Sequence, residues 1–280
     1  MLDETIDEAL EAEFALRRRH PERDAVYDGH RRRGEALRAR GNCELDLRYG
    51  AGPRCLLDVF PAGAGAPVLF FVHGGYWRAL DKSDVSFIAE PYQRAGITVV
   101  MPGYDLVPAV RVGDIVEEVR AAFAFATDRL APKRVVVAGH SAGGQLAAML
   151  ALDQAERRRG PIVGLVGVSG VFDLRPLLRT SINSDLALSP DAAVTASPLL
   201  RLRALPGAAP LVPLLAVVGG DETQGFKLWS SDFAAAWQAR GASAAISEPA
   251  GRSHFTILDV LAEDDGEIPH AIKRMALGTG

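Results

Sequence analysis

The 280-residue sequence has only two cysteines, Cys43 and Cys55. That is too few for a disulfide framework, so free thiols in a reducing, cytoplasmic compartment are expected. No uninterrupted apolar run is long enough to span a bilayer. The opening Met1-Leu2-Asp3-Glu4 is acidic and lacks the basic and apolar regions of a signal peptide. Neither sign of charge dominates: 31 basic and 35 acidic side chains leave a net charge of -4, which removes the electrostatic case for nucleic acid or an anionic membrane as partner. There is no His-Glu-x-x-His pattern and no paired Cys/His cluster at zinc spacing, so no metal is expected. A dinucleotide fingerprint is missing too, and no cofactor is implied.

What the chain does have is a rhythm of apolar runs. Pro67 to Val72, Ile97 to Met101, Val135 to Ala138, Ile162 to Val168, Leu214 to Val218 and Ala244 to Ile246 read as strands. Helical stretches separate them. Asp114 to Leu130 repeats apolar residues at about 3.6-residue spacing, and a later helix carries Phe226, Trp229, Phe233 and Trp237. Pro91 within Ser83 to Ala95 predicts a kink or two short helices. Continuous hydrophobic strands alternating with helices indicate an α/β fold, with a mostly parallel sheet covered on both faces. Glu44 to Leu47 and Cys55 to Phe60 alternate instead, which predicts an antiparallel hairpin at the sheet edge. Residues 1–43 are charged, with Leu10, Phe14 and Leu16 at partly helical spacing. The arginine triplets there (17–19 and 31–33) read as a solvated face. Residues 174–213 hold several prolines without a long periodic pattern and read as a short cap. A single domain over 1–280 is expected.

The chemistry is expected at the carboxyl ends of the strands. Gly139-His140-Ser141-Ala142-Gly143 follows a β-branched run and precedes a helix-forming stretch, the strand–turn–helix context of a nucleophile elbow. Ser141 is the candidate nucleophile. After the first long strand come His73-Gly74-Gly75-Tyr76-Trp77; backbone N–H groups of Gly74, Gly75 and Ala142 are the candidate oxyanion donors. A serine hydroxyl needs an imidazole to take its proton and a carboxylate to orient that imidazole. The chain order Ser, acid, His selects Asp221 and His254, with Glu222 and Asp173 as alternatives to Asp221. His73 is expected to brace its loop and His140 to fix the elbow, pointing away from Ser141.

These segments together resemble the kynurenine formamidases (arylformamidases), of the hormone-sensitive-lipase-like branch of the α/β-hydrolases. The likeness rests on His73 to Trp77, Gly139 to Leu146, Val168 to Asn183, Gly219 to Glu222 and Ser253-His254-Phe255. It implies an α/β-hydrolase fold, a Ser141–Asp221–His254 triad and an oxyanion hole from Gly74, Gly75 and Ala142. The implied reaction is hydrolysis of the formamide of N-formyl-L-kynurenine, a step of tryptophan catabolism, or of a related N-formyl arylamine. A carboxylesterase acting on short-acyl or aryl esters is the alternative, since it uses the same groups. The expected partner is a small-molecule substrate, and a homodimer is left open. Tyr76, Trp77, Tyr104 and Phe172 are candidates for an aromatic wall, with Asn183 and, more weakly, Arg179 for polar contact.

Overall fold

The computed structural model describes residues 6–207 and 209–279; the acidic opening Met1-Leu2-Asp3-Glu4 lies outside them. Eight strands form one sheet: β1 (Glu44–Arg48), β2 (Leu56–Phe60), β3 (Val68–Val72), β4 (Thr98–Pro102), β5 (Val135–His140), β6 (Ile162–Val168), β7 (Leu214–Val217) and β8 (Ala244–Ser247). Their order is β1-β2-β4-β3-β5-β6-β7-β8. The β1–β2 and β2–β4 pairs are antiparallel, and the remaining pairs are parallel. This is the expected architecture, with the hairpin at one edge.

The helices are α1 (Glu8–Phe14), α2 (Arg23–Arg38), α3 (Ala89–Arg94), α4 (Val112–Leu130), α5 (Ala142–Arg157), α6 (Asn183–Leu186), α7 (Pro190–Thr195), α8 (Pro198–Ala204), α9 (Gln224–Ala239) and α10 (Glu267–Leu277). Pro91 falls in the short α3, which follows a 3₁₀ turn over Lys82–Ile88, so the two-helix alternative is the one observed.

Strands β3, β4 and β5 are buried at every position, as a sheet covered on both faces requires. Alternate side chains divide between two cores. Val68, Phe70 and Val72 pack with α4, α5 and α9, whereas Leu69 and Phe71 pack with α3 and α10. The chain begins on one face and crosses to the other. Phe14 at the end of α1 stacks on Trp229 of α9 at 4.2 Å, while Leu37 of α2 joins the opposite core. Residues 15–31 therefore run over the carboxyl edge of the sheet.

The β5–α5 turn is tight enough to exclude side chains. A Cβ on Gly139 would stand 2.1 Å from the Gly143 carbonyl oxygen, and one on Gly143 would stand 2.1 Å from that of Val72. Both obstacles are backbone. Gly143→Ala should therefore cost more than the roughly 1–3 kcal/mol of ordinary overpacking. Urea denaturation measures it; a variant as stable as its parent would contradict this packing.

Candidate active site

Ser141 sits at the apex of the turn with φ 55° and ψ −117°, a conformation that L-residues avoid and that costs of order 1–3 kcal/mol. It is held by hydrogen bonds from its own N–H to the Val168 carbonyl (2.8 Å) and from the Gly144 and Val171 N–H groups to its carbonyl (3.0 and 3.2 Å). Ser141, His140 and His254 line one cavity of about 490 Å³.

The imidazole of His254 presents Nδ1 to Glu222 Oε2 at 2.7 Å, and the Glu222 side chain is fully buried. The carboxylate is saturated: its other oxygen accepts from the Ser169 hydroxyl and from the Gly219 N–H. A carboxylate on Nδ1 leaves Nε2 available to accept a proton. Among the described residues, Nε2 has no hydrogen-bond partner and is free toward the cavity that Ser141 also lines. His254 is also gripped through its backbone, because His140 Nε2 donates to its carbonyl at 2.9 Å.

The assignment of Asp221 as the orienting acid is thus corrected to Glu222. The loop after β7 closes in a turn, Glu222 N–H to Gly219 carbonyl (3.1 Å), while the Asp221 N–H bonds the Arg252 carbonyl (3.0 Å). That turn sends the Asp221 side chain to solvent and folds Glu222 back beneath the imidazole. Asp173, the other alternative, is engaged with Arg175 and Ser197.

On the opposite wall, Gly74 lies against the elbow: a Cβ there would be 3.1 Å from the Ser141 Cβ and 2.8 Å from the His140 carbonyl oxygen. Gly75 adopts φ 105°, where any Cβ would strike the Ala79 carbonyl, and it lines the cavity. Ala142 is the first residue of α5, so its N–H has no intrahelical acceptor. His73 donates from Nδ1 to the Gly74 carbonyl (2.8 Å), bracing the loop as expected; burial pushes it down to about 4. Burial and the neighbouring His254 also hold His140 well below the usual histidine range.

Of the expected substrate contacts, Tyr76 lines the cavity, with its hydroxyl donating to the Phe14 carbonyl (3.0 Å). The others are corrected. Trp77 is fully buried and donates to Gln145; Tyr104 stacks on His73 at 4.2 Å and donates to the His73 and Gly74 carbonyls. Phe172 stacks on Phe233 in the core. Asn183 closes its own turn through both backbone groups of Leu188, and Arg179 pairs with Asp7. A place beside a catalytic loop does not say which way a ring turns, and the core took these rings.

The cavity's roof was also missed. The 174–213 segment supplies Ser181 and Ile182, but most of the covering comes from residues 11–31, including Phe14, Leu16 and Tyr27. A signal existed in the apolar spacing of Leu10, Phe14 and Leu16, which marks a helix that must pack on something. Away from the cavity, Cys55, Asp105 and Glu118 bring ligand-type atoms within 4.8 Å of one another. Both carboxylates already accept backbone N–H groups, from Arg54 and Asp105 respectively, so the cluster makes no case for a metal.

A strained serine at a strand–helix turn, sharing a cavity with an imidazole held on a buried carboxylate, is hydrolase geometry. A family model described as alpha/beta hydrolase fold matches residues 69–257. The chain belongs to the α/β-hydrolase family. It is 29% identical to the kynurenine formamidase of Salmo salar over 85% of this chain and 84% of that one. Against the kynurenine formamidase of Danio rerio it is 28% identical, covering 79% and 78%. A crystal structure from Silicibacter sp. TM1040, described as a candidate thioesterase, matches with TM-score 0.79 and 31% identity over 89% of this α/β-hydrolase and 93% of that chain. No helix among the described residues of the hydrolase is long and apolar enough to cross a membrane.

Because Glu222 and not Asp221 reaches the imidazole, Glu222→Gln should lower kcat by about 10³- to 10⁴-fold, as for the equivalent loss in other triads. Asp221→Asn, at an exposed position, should stay within roughly threefold of the parent. Both are read on p-nitrophenyl acetate, with circular dichroism to confirm folding. The reverse ranking would reinstate Asp221.

Proposed function

We propose that this hydrolase removes the formyl group of N-formyl-L-kynurenine or a related N-formyl arylamine, using Ser141, His254 and Glu222. The observation that carries this reading is the alignment with kynurenine formamidases along about four fifths of both partners. The side chains lining the cavity supply the chemistry it needs.

Ser141 Oγ attacks the formyl carbon while His254 Nε2 takes the hydroxyl proton. Glu222 keeps the proton on Nδ1 and balances the imidazolium that forms. The carbonyl oxygen, now an anion, is received by backbone N–H groups of Gly74, Gly75 and Ala142, each worth about 3–4 kcal/mol in comparable sites. As the tetrahedral intermediate collapses, the C–N bond breaks and the arylamine nitrogen leaves with the proton from Nε2. Water, deprotonated by the same nitrogen, then attacks the formyl-serine; formate departs and Ser141 recovers its proton. No step calls for a metal or cofactor.

A second reading, hydrolysis of short-acyl or aryl esters or thioesters, is supported by the likeness to the Silicibacter structure. Ester oxygens leave without demanding protonation, so the same groups cleave them readily. The two readings separate on kcat/KM for N-formyl-L-kynurenine against p-nitrophenyl acetate. Brisk formamide cleavage is expected; negligible formamide turnover beside fast ester turnover would sink the formamidase reading. Ser141→Ala should abolish both.

A further inference from the structure

The triad fixes the reaction but not the substrate's charge; the cavity wall does that. Its lining includes five arginines, Arg17, Arg18, Arg23, Arg31 and Arg78, against three carboxylates, Glu11, Asp24 and Asp84. The excess is positive, and most of these groups are already committed. Arg31 is held by Asp84 (2.7 Å) and Asp28 (2.6 Å), Arg78 by Asp185, and Arg23 by Asp24 and the Arg17 carbonyl. Glu11 accepts from the N–H and hydroxyl of Ser181 (2.7 and 2.6 Å). The guanidinium groups of Arg17 and Arg18 have no acceptor among the described residues, and both lie on the 3₁₀ turn Leu16–Arg18 at the roof. Tyr27 lines the same wall, and its hydroxyl likewise has no hydrogen-bond partner among the described residues.

The backbone bearing this pair is fixed. Leu16 is buried, Arg23 donates to the Arg17 carbonyl at 2.8 Å, and Arg19 donates to the Ala12 carbonyl. Two uncompensated guanidinium groups with a free phenol, on an anchored turn over a nucleophile, suit a planar oxyanion such as a carboxylate.

We propose that Arg17 and Arg18, with Tyr27 beside them, form the specificity-determining subsite of this hydrolase and take the carboxylate of an anionic substrate. The proposal deepens the formamidase reading, in which that group is the amino-acid carboxylate of N-formyl-L-kynurenine. It does not depend on the scissile bond being a formamide.

The test uses two matched pairs on the full chain. One compares N-formyl-L-kynurenine with the neutral N-formyl-2-aminoacetophenone; the other compares mono-p-nitrophenyl succinate with p-nitrophenyl acetate. In Arg17→Gln/Arg18→Gln, the ratio of kcat/KM for the anionic over the neutral member should fall by about tenfold or more, through KM, as expected for losing charge-assisted hydrogen bonds. Arg17→Lys/Arg18→Lys should restore part of the ratio. The control Arg203→Gln/Arg274→Gln, with the same change in net charge at exposed positions away from the cavity, should leave the ratio unchanged. A ratio unaltered in the Arg17/Arg18 variant, or altered equally in the control, overturns the subsite. If the parent cleaves neither formamide, the formamidase reading fails while the ester pair still decides the subsite.

Discussion

A carboxylate with no access to solvent needs donors in place of water, and Glu222 has three. The Ser169 hydroxyl stands just past β6, the Gly219 N–H just past β7, and the His254 imidazole in the loop after β8. One carboxylate therefore ties together the carboxyl ends of three neighbouring strands. The elbow after β5 joins them through His140, whose ring donates to the carbonyl of His254. The imidazole is fixed at its ring by Glu222 and at its backbone by His140, the neighbour of Ser141, so moving either would displace the ring within the cavity.

Holding these groups at the sheet edge takes backbone in unfavourable conformations. Ser141, Ser169, Tyr76, Trp77 and Leu80 all have positive φ without being glycine. At about 1–3 kcal/mol for each such residue, the strain is a large fraction of a domain's net stability and persists only where packing over-determines it. The buried rings do that here. Trp77 is anchored on Gln145, whose own amide donates to the Ala196 carbonyl, and Tyr104 clamps the His73 and Gly74 carbonyls while lying flat on His73. Trp77 and Tyr104, expected to touch substrate, instead keep the loop from His73 to Trp77 in place.

This explains which parts of the site were legible. Strands, elbow and Gly-Gly loop could be read because each is a local pattern: apolar runs set the sheet, and Gly139 and Gly143 are demanded by a turn that leaves no room for a Cβ. The choice between Asp221 and Glu222 could not be read, since adjacent side chains on a turn point apart, and only the fold decides which faces inward. The Gly219–Glu222 hydrogen bond makes that decision. The roof was harder still. Its anchors lie far along the chain, from Glu11 to Ser181 and from Glu13 to Thr223 and Gly225. The arginine triplets gave no hint by themselves of what they would face.

That distance in sequence bears on the selectivity proposed for the N-terminal segment. In the proposed mechanism, Ser141, His254 and Glu222 act on the carbonyl and its leaving group only, so they would serve formamides and esters alike. Discrimination must come from contacts to the remainder of the substrate. A large part of the cavity wall is built from residues 11–31, on a segment pinned to both faces of the sheet by Phe14 on Trp229 and by His30 stacked on Phe87 at 4.4 Å. A wall anchored at both ends keeps its backbone in place when substrate arrives, so less of the binding free energy is lost to organising the site. On the proposed reading, the sheet edge supplies one general reaction, and a separately anchored strip of chain selects the molecules that reach it.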